Sequence, residues 1–361
     1  MRIDVLRPLE LSDADLAAWT RLQDARLEFG SPFLSPQWPR ALARAGGPDA
    51  ARGRVAVLRR GDGEPLGFMP ARVGRFTAMP LGSPMSDYQA LVAGADVGVE
   101  PERLARAFGV QRLDLYNFLP RPHFAPSLYA HAESLIADLS DGYEAYAAGR
   151  RAAGSDILRD AAKKRRKLER EHGTLRFTPL SRDRAAFDSL IAFKREQFRQ
   201  TRQPDIFERG WPLTVLEAAW AAPEPGFQAA LFTLEADGRL VAANLSVLGR
   251  GVVHAWFISH DPEFCRYSPG VLLFDEILRW APANGYRELD LGPGDYRFKL
   301  SLGSSTRRVA HGFVGRPSLA SIMRSGEYRV RQMAEALPLG RGSALPGKAM
   351  RRLDHWRALQ A

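Results

Sequence analysis

Apolar residues fall into short runs separated by glycine-containing turns, and into longer runs that recur every three or four positions, as in helices. Segments 55–60 and 66–73 read as strands flanking Gly61-Asp62-Gly63. Segments 227–234 and 240–248 flank Asp237-Gly238, a pair suited to the positive φ angles of a type I′ hairpin. Between these hairpins, 175–180 reads as a strand. Ser181 to Arg184 then opens a helix reaching about Arg202, with Phe187, Leu190, Ile191, Lys194 and Phe198 mostly on one face. A helix over 211–220 stops before Pro223 and Pro225, and a strand over 252–259 leads through a loop to a helix starting at Pro269. With strands at 288–291 and 307–314, the second half reads β-α-α-β-β-β-α-β and a final strand.

The two hairpin turns are 175 residues apart, and Leu113-Asp114-Leu115 returns as Leu289-Asp290-Leu291 at an offset of 176. Order and spacing agree, which predicts a duplicated unit. The copies differ: the helical segment before the second Leu-Asp-Leu runs over 269–284, that before the first only over 100–108. The second half is therefore the expected binding half. Its Ser268-Pro269-Gly270 turn places free N–H groups at a helix start, with a glycine that admits close approach, so an anion site is expected there.

Charge narrows the choice of partners. The 361 residues include 51 Lys and Arg against 41 Asp and Glu, a net charge of +10. Nine basic and three acidic residues lie in 150–170, and the same numbers in 316–361, so each segment carries 9 − 3 = +6 and the rest is slightly acidic. Lys163 to Lys167 are consecutive and surround a helix on all sides, so they form no DNA-reading stripe. No specific DNA binding is expected. Leu319, Ile322, Met323, Val330 and Met333 give the basic tail an amphipathic pattern, expected to pack on the domain, with peripheral contact to anionic lipid as the alternative. Cys265 is the only cysteine, no apolar run is long enough to span a membrane, and Asp4 and Pro8 make the start unlike a signal peptide; a cytoplasmic location is expected.

From about Arg150 to Gly315 the sequence resembles the GNAT N-acyltransferases of the CelD type, a family named for a cellulose-biosynthesis protein, whose members pair two such units as the FemAB peptidyltransferases do. The residues carrying the resemblance are Asp261-Pro262-Glu263-Phe264, Tyr267-Ser268-Pro269-Gly270, and Asp290-Leu291-Gly292-Pro293-Gly294-Asp295 leading to Phe298-Lys299. Two features depart from it. Arg266 stands one residue farther from the glycine than in most CoA-binding turns, which also carry a second glycine, and Phe298 replaces a frequent tyrosine, so no phenol can donate a proton there.

The resemblance implies an α/β (α+β) fold of two tandem GNAT-like units, each a mixed central sheet flanked by helices. The expected segments are a degenerate unit at 1–149, a basic linker helix at 150–172, the acyltransferase domain at 173–316 and a helical tail at 317–361. It also implies acetyl-CoA or another acyl-CoA as cosubstrate and no metal. The pantetheine arm is expected along Ile258 and Ser259, and the pyrophosphate near Arg266, Ser268, Gly270, Val271 and Leu272. Asp295, Asp261 and His260 are candidate general bases. Lys299 is a candidate for holding an acidic group or a developing charge. Lys194, Gln197 and Trp256 are candidates for the acceptor side, although Trp256, two residues from His254 on one strand, fits a core position as well. The acceptor is expected to be an amino sugar, a polysaccharide precursor or a small amine. Transfer of an aminoacyl group from tRNA, and a non-catalytic scaffold in polysaccharide assembly, remain open.

Overall fold

The computed structural model describes residues 1–294, 296–336 and 345–360. The first half comprises β1 (Arg2–Leu6), α1 (Asp13–Asp24), α2 (Gln37–Ala45), α3 (Gly47–Arg52), β2 (Gly53–Arg59), β3 (Pro65–Val73), β4 (Thr77–Pro80), the short β5 (Val92–Ala93), α4 (Pro101–Ala107), β6 (Arg112–Phe118) and β7 (Leu128–Asp138). Helices α5 (Gly142–Ala152) and α6 (Ile157–His172) lead to the second half: β8 (Leu175–Ser181), α7 (Arg184–Thr201), α8 (Trp211–Ala221), β9 (Gln228–Ala236), β10 (Arg239–Gly249), β11 (Val252–His260), α9 (Pro269–Ala283), β12 (Glu288–Pro293), α10 (Arg297–Leu302) and β13 (Ser305–Gly315). Helices α11 (Leu319–Ala336) and α12 (Leu345–Gln360) form the tail.

Local chemistry sets the expected boundaries. Asp183 caps α7 by accepting from the Ala185 N–H at 2.9 Å. Asp237 and Gly238 both take positive φ, 45° and 79°, as the hairpin pattern requires. The helices then divide between the faces of the sheet. Trp19 of α1, Trp38 of α2, Phe187 of α7 and Leu216 of α8 share one core with Phe68, Leu231 and Leu245, so this layer spans both halves. A second core joins α9 to the sheet of the second half through Leu272 and Ile277, and a third joins α4 to the first through Leu104 and Phe108.

The strand order is β1-β2-β3-β4-β6-β13-β7-β12-β11-β10-β9-β8, with β5 beside β3. Counting each half from its own start, this order is a palindrome in which the last strands have changed places. Strand β13 of the second half pairs with β6 of the first, with Phe313 opposite Asp114, while β7 of the first pairs with β12, with Ile136 opposite Asp290. The exchanged strands also pair with each other, antiparallel, with Ser134 opposite Arg307. One sheet thus runs through both copies.

The tail departs from expectation. Leu319, Ile322, Met323, Val330 and Met333 are all exposed, and α11 docks by its opposite face through Arg324 and Tyr328. The reason is charge: Arg324 reaches the carboxylates of Asp354, at 2.8 and 2.9 Å, and lies 3.5 Å from that of Asp114 on β6. The buried acids draw the arginine inward, which turns the apolar stripe outward. No helix among the described residues is long and apolar enough to cross a membrane.

Strand exchange predicts that neither half folds alone, since each would leave three strand edges open that the other half closes: one on β6 and both on β7, or one on β12 and both on β13. Residues 1–149 and 150–361 expressed separately should aggregate or give no cooperative thermal transition by circular dichroism, and should recover it when co-expressed. A cooperative, monomeric melt of the isolated 150–361 fragment would show that the exchange is dispensable.

Candidate active site

Strands β11 and β12 run parallel and pair only from Val252 opposite Glu288 to His254 opposite Asp290. Beyond that point they diverge into a wedge. On one side a bulge bends β11: Ser246 faces Ala255 and Leu245 faces Phe257, so Trp256 is the extra residue. On the other, Gly292 takes φ 75° and turns β12 aside. Divergence opens a space between the two strands, and two lysines reach carbonyls along it. Lys194 of α7 donates to Ile258 O at 3.2 Å and to Gln197 Oε1 at 2.9 Å. Lys299 of α10 donates to Pro293 O at 3.0 Å and Gly292 O at 3.4 Å. Burial and the nearby charge of Lys299 pull the Lys194 ammonium down to about 8. Lys299 is also lowered by burial, against the opposing pull of Asp87 and Asp290.

At the apex of the wedge lies a buried polar network built from both halves. Asp290, with no exposed surface, accepts from the Tyr88 hydroxyl and from Arg307 Nη1 at 2.7 Å, and from the Gly292 N–H at 2.8 Å. The Ser134 hydroxyl lies 2.6 Å from that of Tyr88. His254 Nδ1 is 3.5 Å from Asp290, and its Nε2 is 2.7 Å from Asp87 Oδ2. Burial alone would lower the histidine, but the charge of Asp290 3.5 Å away and the hydrogen bond to Asp87 raise it to about 9, so it is an imidazolium at neutral pH. Asp290 is held well below the usual carboxylate range: burial opposes this, but His254, Arg307 and the Tyr88 hydrogen bond outweigh it. Asp87 retains solvent access, with a side chain 31% exposed. A Cβ on Gly292 would stand 3.2 Å from Asp87 Oδ2, 3.6 Å from Lys299 Nζ and 3.7 Å from His254 Nε2, so all three converge on this glycine.

The helix start expected to bind an anion adjoins the wedge through Ile258. The Ile258 side chain lies 3.4 Å from where a Gly270 Cβ would be, and its carbonyl holds Lys194. Ser268 takes the left-handed conformation at φ 53°, and Lys164 of the basic helix α6 donates to its Oγ at 2.6 Å. The Val271 and Leu272 N–H groups point to Ser268 O at 2.9 and 3.2 Å. Buried Ser259 precedes His260 at the end of β11.

Other candidates lie elsewhere or are occupied. Arg266 turns toward α6, where it pairs with Glu171 at 2.9 Å. Asp261 starts a turn: it accepts from the Glu263 N–H at 3.0 Å and from Arg239 at 2.6 Å, which leaves it no free carboxylate. His260 Nδ1 is 3.1 Å from the Asp261 carbonyl. The Trp256 indole donates to Met85 O at 2.8 Å, and its ring packs on Phe33 and Trp38, so it serves as wall and core. Phe298 stacks on Phe274. Asp295 lies outside the described residues. Sequence reasoning missed Asp87, Tyr88, Ser134 and Arg307. The available signal was Asp290 itself, a charge inside an apolar strand that needs partners.

Residues 155–300 match the family model described as "Acetyltransferase (GNAT) domain". No curated protein matches the sequence. Among solved structures, the chain is similar to the C-terminal domain of a putative lysylphosphatidylglycerol synthetase from Agrobacterium fabrum, at 15% identity over 86% of this chain and 95% of that one, TM-score 0.53. It is similar to FemX at 10% identity over 87% and 96%, TM-score 0.53. A conserved protein of unknown function from Bacteroides thetaiotaomicron gives 11% identity over 84% and 98%, TM-score 0.50. At such identities the likeness is one of fold. The wedge, both lysines, His254 and Asp290 all fall within the matched segment, so this chain carries a GNAT acetyltransferase domain and is an acyltransferase.

Proposed function

We propose that the protein is an acyl-CoA-dependent N- or O-acyltransferase acting on an amino sugar, a polysaccharide precursor or a small amine. The observation that carries this reading is the wedge between β11 and β12, where lysine side chains rather than the facing strand reach the carbonyls of Ile258 and Pro293. An extended arm with amide groups, such as pantetheine, can enter there and take over such bonds as an added strand would. Its pyrophosphate then reaches the α9 start, where Ser268, Gly270 and Lys164 meet an anion. Lys299, beside the inferred thioester, stabilises charge developing on the carbonyl oxygen. Asp87, fixed by the His254 imidazolium, orients the acceptor amine, and Asp295 keeps a proposed place as a second acceptor-side carboxylate. Lys194, with its ammonium near 8, is the group best matched to accept a proton at neutral to mildly alkaline pH.

A second reading, aminoacyl transfer from tRNA, is favoured by the exposed Lys163, Arg166 and Lys167 on the helix that supplies Lys164, and by the likeness in fold to FemX. Thermal shifts separate the two. Acetyl-CoA or a longer acyl-CoA at 100 times its dissociation constant should stabilise the chain by about 2.7 kcal/mol, while charged tRNA leaves the transition unmoved. The reverse result would favour the aminoacyl reading.

Two further outcomes are expected. Lys299→Met should lower acyl-CoA turnover, measured as hydrolysis until an acceptor is found, by roughly 10² to 10³ with little change in CoA affinity. An unchanged rate at a normal melting temperature removes Lys299 from the chemistry. The His254 ring, followed by NMR, should titrate near 9 and shift downward in Asp87→Asn. Since this pKa is raised, the stability it contributes is complete below about 6.5 and is lost as pH rises through about 9. A His254 titration near 6.5 would mean that Asp87 is not held by an imidazolium.

A further inference from the structure

The tail presents an inverted helix. Leu319, Ile322, Met323, Val330 and Met333 of α11 are 59 to 74% exposed, and at 100° per residue they fall within an arc of about 100°. The opposite face buries Ser321, Arg324 and Tyr328. A helix that only packs on a domain turns its apolar side inward; this one turns it out. Helix α12 behaves alike, burying Met350 and Asp354 while Leu353 and Trp356 are 39 and 54% exposed beside Arg352. Tyr328 and Met350 join one cluster with Ala130 and Phe313 of the sheet, so both outer faces point away from it.

Charge selects the occupant. All three acids of the tail are paired with arginines of the tail: Glu327 with Arg324 and Arg357, Asp354 with Arg324, and Glu335 with Arg331. Among the described residues, Arg316, Arg329, Arg351 and Arg352 form no ion pair. A second copy seated on this face would set one tail of net charge +6 against another, whereas an anionic bilayer complements both the charge and the apolar stripe. We propose that α11 and α12 lie on an anionic membrane surface, the apolar stripe at the boundary between headgroups and acyl chains and the unpaired arginines at the level of the lipid phosphates.

The test uses the full chain and sedimentation with vesicles of phosphatidylglycerol and phosphatidylcholine, against phosphatidylcholine alone. Binding is expected to the anionic vesicles only, and to weaken in 1 M salt, where the screening length falls from about 10 Å to about 3 Å. Ile322→Asp with Val330→Asp should weaken binding by about tenfold or more. Should that variant fail to fold, Arg351→Ala with Arg352→Ala serves instead, at roughly fivefold per arginine. Three results would overturn the proposal: equal binding to neutral vesicles, no binding to either, or a concentration-dependent dimer in sedimentation velocity that Ile322→Asp abolishes without any vesicle binding.

Discussion

A carboxylate with no exposed surface keeps its charge only if its surroundings replace the water it has lost, and Asp290 has such surroundings only because the two halves exchange their last strands. Ser134 arrives on β7 and Arg307 on β13, the exchanged strands, and Tyr88 comes from a loop of the first half. Removing one partner from such a set leaves an uncompensated charge, at a cost of about 3–5 kcal/mol. The network therefore fixes strand register and the apex of the wedge at once. His254 and Gly292, both held by Asp290, in turn set where Asp87 and Lys299 stand.

Duplication shows what this arrangement is for. Asp114 occupies the position of Asp290 in the first copy and is equally withdrawn from water, but its environment is different. Burial raises its carboxyl, and Arg112 and Arg324 only partly offset that. Arg324 comes from the tail, so a helix side chain fills the neighbourhood that a histidine and an open wedge occupy in the second copy. The helix starts differ in the same sense. Helix α4 has seven residues, with Glu100 at its cap and Glu102 in its first turn, which repels an anion. Helix α9 has fifteen residues, no acid in its first turn, and Lys164 beside it.

The legible parts of the sequence were local. The hairpin at Asp237-Gly238, the duplicated order of elements, the bounds of α7 and the Pro269 helix start each depend on neighbours a few residues apart, where turn chemistry and periodicity act. The exchange of β7 and β13 depends on pairing across more than 170 positions, such as Ser134 with Arg307, and no local pattern encodes it. Asp87 was hidden for the same reason. It lies in a loop, 167 residues from the histidine it meets. The tail was misread in orientation rather than in kind, since an apolar stripe is normally the inner face of a helix and only the buried Asp114 and Asp354 reverse it here.

The wedge and the network also divide labour by solvent access. Behind His254, Asp290, Tyr88 and Ser134 are buried and hydrogen-bonded to one another, so they hold geometry and do not exchange protons readily with a substrate. Everything in front is half-open: Asp87 is partly exposed, and the two lysines sit on carbonyls that an entering arm can claim. An ammonium displaced from a carbonyl within a low-dielectric wedge is an effective partner for a new negative charge, because it has lost its previous acceptor and has little water to replace it. Burial lowers both ammoniums, and the charge of Lys299 lowers Lys194 further, whereas Asp87 and Asp290 pull Lys299 the other way, so the two lysines of the wedge are not equivalent.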